Sequence, residues 1–340
     1  MPTNQAAWLD GKAEKLRVAE AEMPKAGDDD IVIKVFATAV NPVDWKIQDS
    51  GYFIKTWPMV LGCDAAGEVV EVGSNAAKRF KKGDRVTGHT TSLLSQKPAD
   101  GAFQSYARLS PNRTAHLPSS TTFASGSVLP LALDTAAVGL YSAHPAGLAL
   151  PQPSLHPQPS GKTVLVWGGS SSVGALAIQL AVASGAKVVA TASKHNFDFC
   201  KSCGASEVWD YSSPSIIDDV VASIKTLGGS FAGVYDAIGE QEKSYHAVLP
   251  ICEKLGGGTV ATVMSGPEKV PENVKIAQVF GINDSTAPIW EGYVTSALEQ
   301  GKLRCLPEPM VVGKGLESVQ AGLDANKKGV SAKKVVVQLD

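Results

Sequence analysis

The sequence predicts an α/β protein in two parts, a mostly-β barrel-like domain and a doubly wound parallel sheet. Three observations carry that expectation. The chain has 340 residues, too many for one typical small domain and enough for two sizeable cores. Its first third holds short β-prone runs separated by Gly-rich turns. From Thr163 onward, strand-like and helix-like segments alternate at the spacing of βαβ units.

Residues 6–22 read as two short strands around the turn Asp10 to Gly11, and Asp28 to Asp30 make a polar turn. Ile31 to Ala39 alternates and then becomes fully apolar, as a strand does on entering a core. Pro42 stops it, so Asn41-Pro42-Val43-Asp44-Trp45-Lys46 is expected as a loop at a strand end, a common place for function. Ala65 to Val72 and Arg85 to His89 are further strands, and Gly101 to Ala107 continues the domain until Pro118. Ala124 to Ala143 is apolar at helical spacing and is expected to bridge to the next domain. Pro145 to Pro159 holds five prolines and reads as a surface linker.

The second part opens with Thr163 to Ala181, a strand, a turn and a helix. Val164 to Trp167 is a continuous β-prone run, as expected of a parallel strand buried on both faces. Leu176, Ala177, Leu180 and Ala181 then recur at three- and four-residue spacing. A helix starting there aims unpaired N–H groups and its positive dipole end at the turn, which suits a dinucleotide pyrophosphate. Gly169, Ser170, Ser171, Ser172, Val173 and Gly174 are therefore the candidate phosphate loop, with Ser171 where the full three-glycine fingerprint has its middle glycine. Strands are expected at Lys187 to Thr191, Glu207 to Asp210, Gly233 to Ala237 and Thr259 to Met264. Helices are expected near Asn196 to Cys203, Ser215 to Leu227 and Glu242 to Leu249. Lys275 to Ser285 fits either domain; Ser296 to Gly301 closes a last helix, and Lys333 to Leu339 is a terminal strand expected to return to the first sheet.

An acid about 20 residues past the glycines selects the free 2′-hydroxyl of NAD. Here the second strand ends in Ser193, Lys194 and His195, a hydroxyl, an ammonium and an imidazole, and Tyr211 ends the next strand. That set favours a 2′-phosphate and hence NADPH; the alternative is that Lys194 and His195 only open an exposed helix.

Charge is nearly balanced, 31 basic against 33 acidic side chains, so composition gives no reason to expect nucleic acid or a membrane surface. Asp10, Lys12, Glu14 and Lys15 leave residues 1–16 without a secretory apolar core, and no run of about 18 uninterrupted apolar residues exists. A cytoplasmic protein is the expectation. Five cysteines, an odd number, argue for reduced thiols, and Cys200 and Cys203 read as packing rather than a redox pair.

The order of motifs resembles the medium-chain dehydrogenase/reductase superfamily over nearly the whole chain: NPVDWK (Asn41 to Lys46), VLGCDAAGEVVEVG (Val60 to Gly73), KKGDRV (Lys81 to Val86), LDTAAVGLY (Leu133 to Tyr141) and the phosphate loop. The resemblance implies a GroES-like catalytic domain split between both chain ends, 1–125 and 285–340, around a Rossmann cofactor domain, 126–284. Zinc-dependent members place a cysteine at Asn41, a His-Glu pair at Cys63 and Asp64, and a third ligand at Leu131; none matches, and Thr90 to Ser110 has no structural zinc lobe. Losing a Lewis acid makes simple alcohol dehydrogenation a poor expectation.

The serine-rich loop, NPVDWK and Ser193 to Ala205 resemble the trans-acting enoyl reductases that serve fungal polyketide synthases, with quinone oxidoreductases as the neighbouring branch. That implies NADPH-dependent reduction of an activated C=C bond in a small-molecule or carrier-bound enoyl substrate, a polyketide synthase as partner, and no metal. Family members that bind NADPH with little turnover are the other class. The resemblance makes Lys46, with Asn41 beside it, the donor to the substrate carbonyl, and places Thr135 by the nicotinamide carboxamide. Ile238, Val263, Phe280 and Gly281 are implied to line the nicotinamide, and Trp290 and Tyr293 are read as a cleft wall or as core.

Overall fold

The computed structural model describes residues 3–339. Contacts divide the chain into two compact units: Met1–Leu131 with Trp290–Glu299 and Arg304–Asp340, and Ala132–Ile289 with Gln300–Leu303.

The first unit begins with β1 (Asn4–Leu9) and β2 (Arg17–Ala21), an antiparallel pair with Asn4 opposite Ala21. β3 (Ile31–Ala39) leads through Asn41 directly into a helix, α1 (Pro42–Ser50). The expected NPVDWK loop is thus corrected to a helix start. Pro42 stands at the first helical positions, where a missing N–H is no loss and the fixed φ helps, so the residue that stops the strand also starts the helix. Asn41 is the extended N-cap, Asp44 Oδ2 accepts from the Asn41 N–H at 2.8 Å, and Gly51, at φ 72°, closes the helix in the left-handed region.

β4 (Met59–Val60) pairs with β1, and β5 (Asp64–Val72), β6 (Arg85–His89), the short α2 (Ser92–Ser95), β7 (Tyr106–Leu109) and β8 (Thr114–His116) follow. The single helix expected over Ala124 to Ala143 is two, α3 (Phe123–Gly126) and α4 (Pro130–Tyr141), and the division between units falls inside α4. The stretch Phe123–Tyr141 is long and apolar enough to cross a bilayer, and 78% of it is buried inside the protein, as in a core helix.

The second unit is a six-stranded sheet of β9 (Lys162–Trp167), β10 (Lys187–Ala192), β11 (Glu207–Asp210), β12 (Ser230–Asp236), β13 (Gly258–Thr262) and β14 (Val274–Gln278), with spatial order β11-β10-β9-β12-β13-β14. All five pairings are parallel, so the doubly wound expectation holds, with the order reversing beside β9. The intervening helices are α5 (Ser172–Ala183), α6 (Phe197–Ser202), α7 (Ile216–Leu227) and α8 (His246–Lys254). Lys275 to Ser285, open in the sequence, supplies β14 to this sheet. The proline-rich stretch 145–159 is irregular, as expected, but lies within this unit rather than between units, with Leu148 and Leu150 buried.

After α9 (Ala287–Gly292) and α10 (Val294–Glu299) the chain adds β15 (Pro309–Lys314), α11 (Val319–Lys328) and β16 (Lys334–Gln338). β16 pairs antiparallel with β3, giving the first unit a sheet of order β15-β16-β3-β5-β6-β8, with β7 also on β3. The terminal strand therefore returns where the sequence predicts; β15 and α11 were not expected. Trp290 and Tyr293 are buried core residues.

Candidate functional site

Each unit carries one arrangement with chemical content. In the second unit it is the turn from β9 to α5, at the carboxyl ends of the parallel strands. Ser171 is the N-cap of α5, and its Oγ accepts from the Gly174 N–H at 3.0 Å. Gly174 has no room for a side chain: a Cβ would lie 2.2 Å from the Gly168 carbonyl oxygen. Gly168 adopts φ 77°, and a Cβ there would strike Ile238 at 2.7 Å. Gly169 sits over Ile178, Ala190 and the Cys200 sulfur, which explains that buried thiol as packing. All five cysteines are free, and burial, with Cys203 beside it, pushes the Cys200 thiol up to about 12. The Ser172 hydroxyl is buried and has no hydrogen-bond partner among the described residues. A tight glycine cradle, a helix N-terminus and an orphan hydroxyl fit a pyrophosphate.

The residues expected around the adenosine end come together. Ser193 Oγ and Tyr211 Oη are 2.7 Å apart, and Asn196 Nδ2 donates to Ser170 Oγ at 3.3 Å. Lys194 and His195 are exposed just after β10, with Lys194 Nζ 4.0 Å from Asp210 Oδ2. Asp210, the last residue of β11 and next to Tyr211, reads in the sequence only as a strand end; it also accepts from Ser212 N and Oγ. At the other end, Thr135 and Gly281 touch, since a Cβ on Gly281 would lie 2.7 Å from Thr135 Oγ1. Tyr235 Oη donates to the Thr135 carbonyl at 2.8 Å, fixing that turn of α4 on β12. Ile238 lies against Gly168, the Val263 N–H donates to the Asp236 carbonyl at 3.3 Å, and Phe280 is exposed. A cavity of about 490 Å³ lined by Pro157, Lys162, Val182 and Gly228 opens at the opposite, amino-terminal ends of β9 and β10, away from all these groups.

In the first unit the arrangement is a buried charged cluster that strand register assembles. Ala39 lies opposite Asp64 on β5 and opposite Val336 on β16. Two residues further along each antiparallel strand, Asn41 meets Lys334. The Lys334 ammonium lies 3.1 Å from Asp64 Oδ2 and donates a short hydrogen bond to Asn41 Oδ1. Asn41 Nδ2 donates to Asp64 Oδ2 at 2.8 Å, and the Leu131 N–H, in the first turn of α4, donates to Asp64 Oδ1 at 2.6 Å. Lys334 and Asp64 side chains are 3% and 0% exposed. Asp44 is buried beside them; burial first, and then the Asp64 charge, push its carboxyl up to about 7 against the lowering pull of the Asn41 N–H, of Lys334 and of the Gly62 N–H. Lys46 is half-buried one turn along α1, its ammonium 5.7 Å from the Trp45 ring centre.

This donor set does not suit zinc. The four positions hold an amide already engaged by Lys334 and Asp64, a carboxylate already neutralised by an ammonium, an apolar side chain, and a thiol that burial and two carboxylates push well above its usual range. Among the described residues no group of three or more His, Cys, Asp or Glu side chains could hold a metal ion. Lys334 carried no sequence signal, since it read only as the second residue of the terminal strand Lys333 to Leu339.

Residues 27–119 match the family described as the alcohol dehydrogenase GroES-like domain, and residues 172–292 match the family described as zinc-binding dehydrogenase. The chain is 45% identical to "Dehydrogenase orsE" of Emericella nidulans over the full length of both. It is 40% identical to "Trans-enoyl reductase himH" of Aspergillus japonicus, covering 99% of this chain and 97% of that one. Among solved structures, an alcohol dehydrogenase superfamily protein from Novosphingobium aromaticivorans shares the fold, with a TM-score of 0.77 and 24% identity over 99% of this chain and all of that one.

Proposed function

Because this chain belongs to the medium-chain dehydrogenase/reductase superfamily and is an oxidoreductase, we propose that it reduces the activated C=C bond of an α,β-unsaturated carbonyl compound or enoyl thioester, using NADPH and no metal ion. The observation that carries this reading is the Lys334 ammonium held against Asp64 and Asn41. A fixed buried cation at that place opposes a divalent ion, and it leaves polarisation of the substrate to side-chain donors. Such donors suffice where the acceptor already delocalises charge, as a conjugated carbonyl does. The name of the Aspergillus japonicus relative, a trans-enoyl reductase, points the same way. The proposed substrate is a small-molecule or carrier-bound enoyl compound, with a polyketide synthase as partner.

NADPH, when bound, supplies the hydride that reaches the β-carbon. The chain's own residues do the rest. Gly169 to Gly174 receive the pyrophosphate, and Ser193, Lys194, His195 and Tyr211 receive the 2′-phosphate, with Asp210 orienting Lys194. Thr135, with Ile238, Val263, Phe280 and Gly281, lines the nicotinamide. Lys46 donates to the carbonyl oxygen as enolate charge develops, and the α-carbon then takes a proton from solvent. Asn41, fully buried, positions α1 rather than touching substrate.

NADPH oxidation measured with an enoyl thioester, an enone and a quinone tests the reading. Turnover with the enoyl thioester, slower with NADH and unchanged by a zinc chelator, is the expected result, and Lys46→Ala should lower kcat about 100-fold. Turnover with the quinone alone would replace this reading with a quinone oxidoreductase, and tight NADPH binding without oxidation of any acceptor would replace it with a binding protein.

A further inference from the structure

We infer that Lys334 is a positioning residue whose ammonium does the structural work of a bound metal ion, tying the terminal strand to the starts of two helices. The geometry is specific. The Lys334 ammonium contacts Asn41 Oδ1 and Asp64 Oδ2, while Asn41 Nδ2 closes the triangle onto the same Asp64 oxygen. Asn41 is the N-cap of α1, so fixing its amide fixes the entry to the helix that bears Lys46 five residues on. The other Asp64 oxygen accepts from the Leu131 N–H and so holds the first turn of α4. Backbone bonds frame the cluster: the Val40 N–H donates to the Val335 carbonyl at 2.9 Å, and Thr38 Oγ1 donates to the Asp64 carbonyl at 2.7 Å.

The chemistry of the group explains why a lysine can serve here. An ammonium offers three donors around a compact charge, and two of them are spent on oxygens of different residues, which is how a small cation organises ligands. Asp64 faces the cation at 3.1 Å, and Asp44 lies near enough to feel its charge, all three side chains being buried. Removing the cation leaves Asp64 buried with only amide donors, and the helix starts lose their common anchor.

The inference deepens the proposed function in its kinetic arm but is tested independently of it by stability. Lys334→Ala leaves space for an alkylammonium ion. Millimolar n-propylammonium should raise the melting temperature of that variant by several degrees and restore at least a third of kcat, whereas 1-propanol and sodium chloride at equal concentration should do neither. Without rescue, kcat with an enoyl acceptor should fall at least tenfold while KM for NADPH stays within about twofold, because the cofactor loop lies on the other unit. A uniform loss in both parameters, absence of rescue, or rescue by the alcohol overturns the inference. If the alanine variant does not fold, Lys334→Met/Asp64→Asn keeps the question open to test. Removing both charges together should give a folded protein that melts above Lys334→Met, and strictly additive losses overturn the inference. If the native protein oxidises no NADPH with any acceptor, the reduction reading fails, while the ammonium rescue of stability still decides the role of Lys334.

Discussion

The candidate phosphate loop of the second unit and the charged cluster of the first are built on opposite principles. The loop with the Gly168 that precedes it is contiguous, its glycines let backbone approach backbone and its Ser171 caps the helix, so its chemistry lies in main-chain geometry. The cluster is assembled from Asn41, Asp44, Asp64, Leu131 and Lys334, brought together by strand register, and its chemistry lies in side-chain charge. The difference teaches where each fails. A loop made of steric tolerance breaks on any added atom, while a cluster made of charge breaks on removal of one partner.

The largest expected effect follows from the first principle. Gly174→Val places a side chain where a Cβ already lies 2.2 Å from the Gly168 carbonyl oxygen, a backbone atom that cannot step aside. The turn must open, and NADPH affinity, read by fluorescence titration, should fall at least 100-fold or the variant should be insoluble. Retained affinity within a few-fold would show that the loop tolerates volume and would erase the contrast. The second principle gives the next effect. Asp64→Ala leaves the Lys334 ammonium buried without its carboxylate, and such a broken pair costs about 3–5 kcal/mol. Denaturant melts should show that loss at neutral pH, and a loss below about 1 kcal/mol would mean that the pair is not the organising charge.

The same contrast explains what the sequence revealed. The loop, its strand and its helix were readable because their signals sit within twenty residues and repeat at helical spacing, and a parallel sheet of five strands follows from alternation, whereas β14 lies in the stretch that the sequence left open. NPVDWK was misjudged as a loop because a proline after a strand has two local outcomes, and only Asp44 bonding back to Asn41 N selects the helix start. Lys334 and Asp64 are 270 residues apart, and nothing local marks them as a pair; only register across β3, which places both strands beside Ala39, does so. The absence of zinc-ligand residues at 41, 63 and 131 was visible in the sequence, whereas what fills their place was not. Asp210 escaped because an acid beside Tyr211 has no place in the residue pattern that favours a 2′-phosphate, and only the structure puts it 4.0 Å from the Lys194 ammonium.

Asp44 sharpens the comparison through pH. Its carboxyl is pushed up to about 7 by burial, against an ordinary value of 3.8. Between those values the folded protein binds more protons than the unfolded chain, so this group's contribution to stability is fully present below about pH 4 and is lost as pH rises through 7. Asp44→Asn should therefore flatten the decline in melting temperature between pH 5 and 8, by a few degrees at the upper end. An unchanged slope would mean that Lys334 and the Asn41 N–H keep Asp44 ionised throughout.

The smallest effect separates two jobs of one hydroxyl. Ser171 Oγ accepts from the Gly174 N–H, which leaves its proton free to donate to an anion above the helix. Ser171→Ala removes both functions and should cost about 1 kcal/mol of stability with a several-fold loss of NADPH affinity. Ser171→Gly keeps an acceptable N-cap and should cost only a few tenths of a kcal/mol, yet it lacks the donor. Comparing melting temperature with NADPH titration for the pair thus distinguishes capping from phosphate contact. If glycine restores affinity along with stability, Ser171 serves the helix alone, and the loop binds its anion through backbone N–H groups.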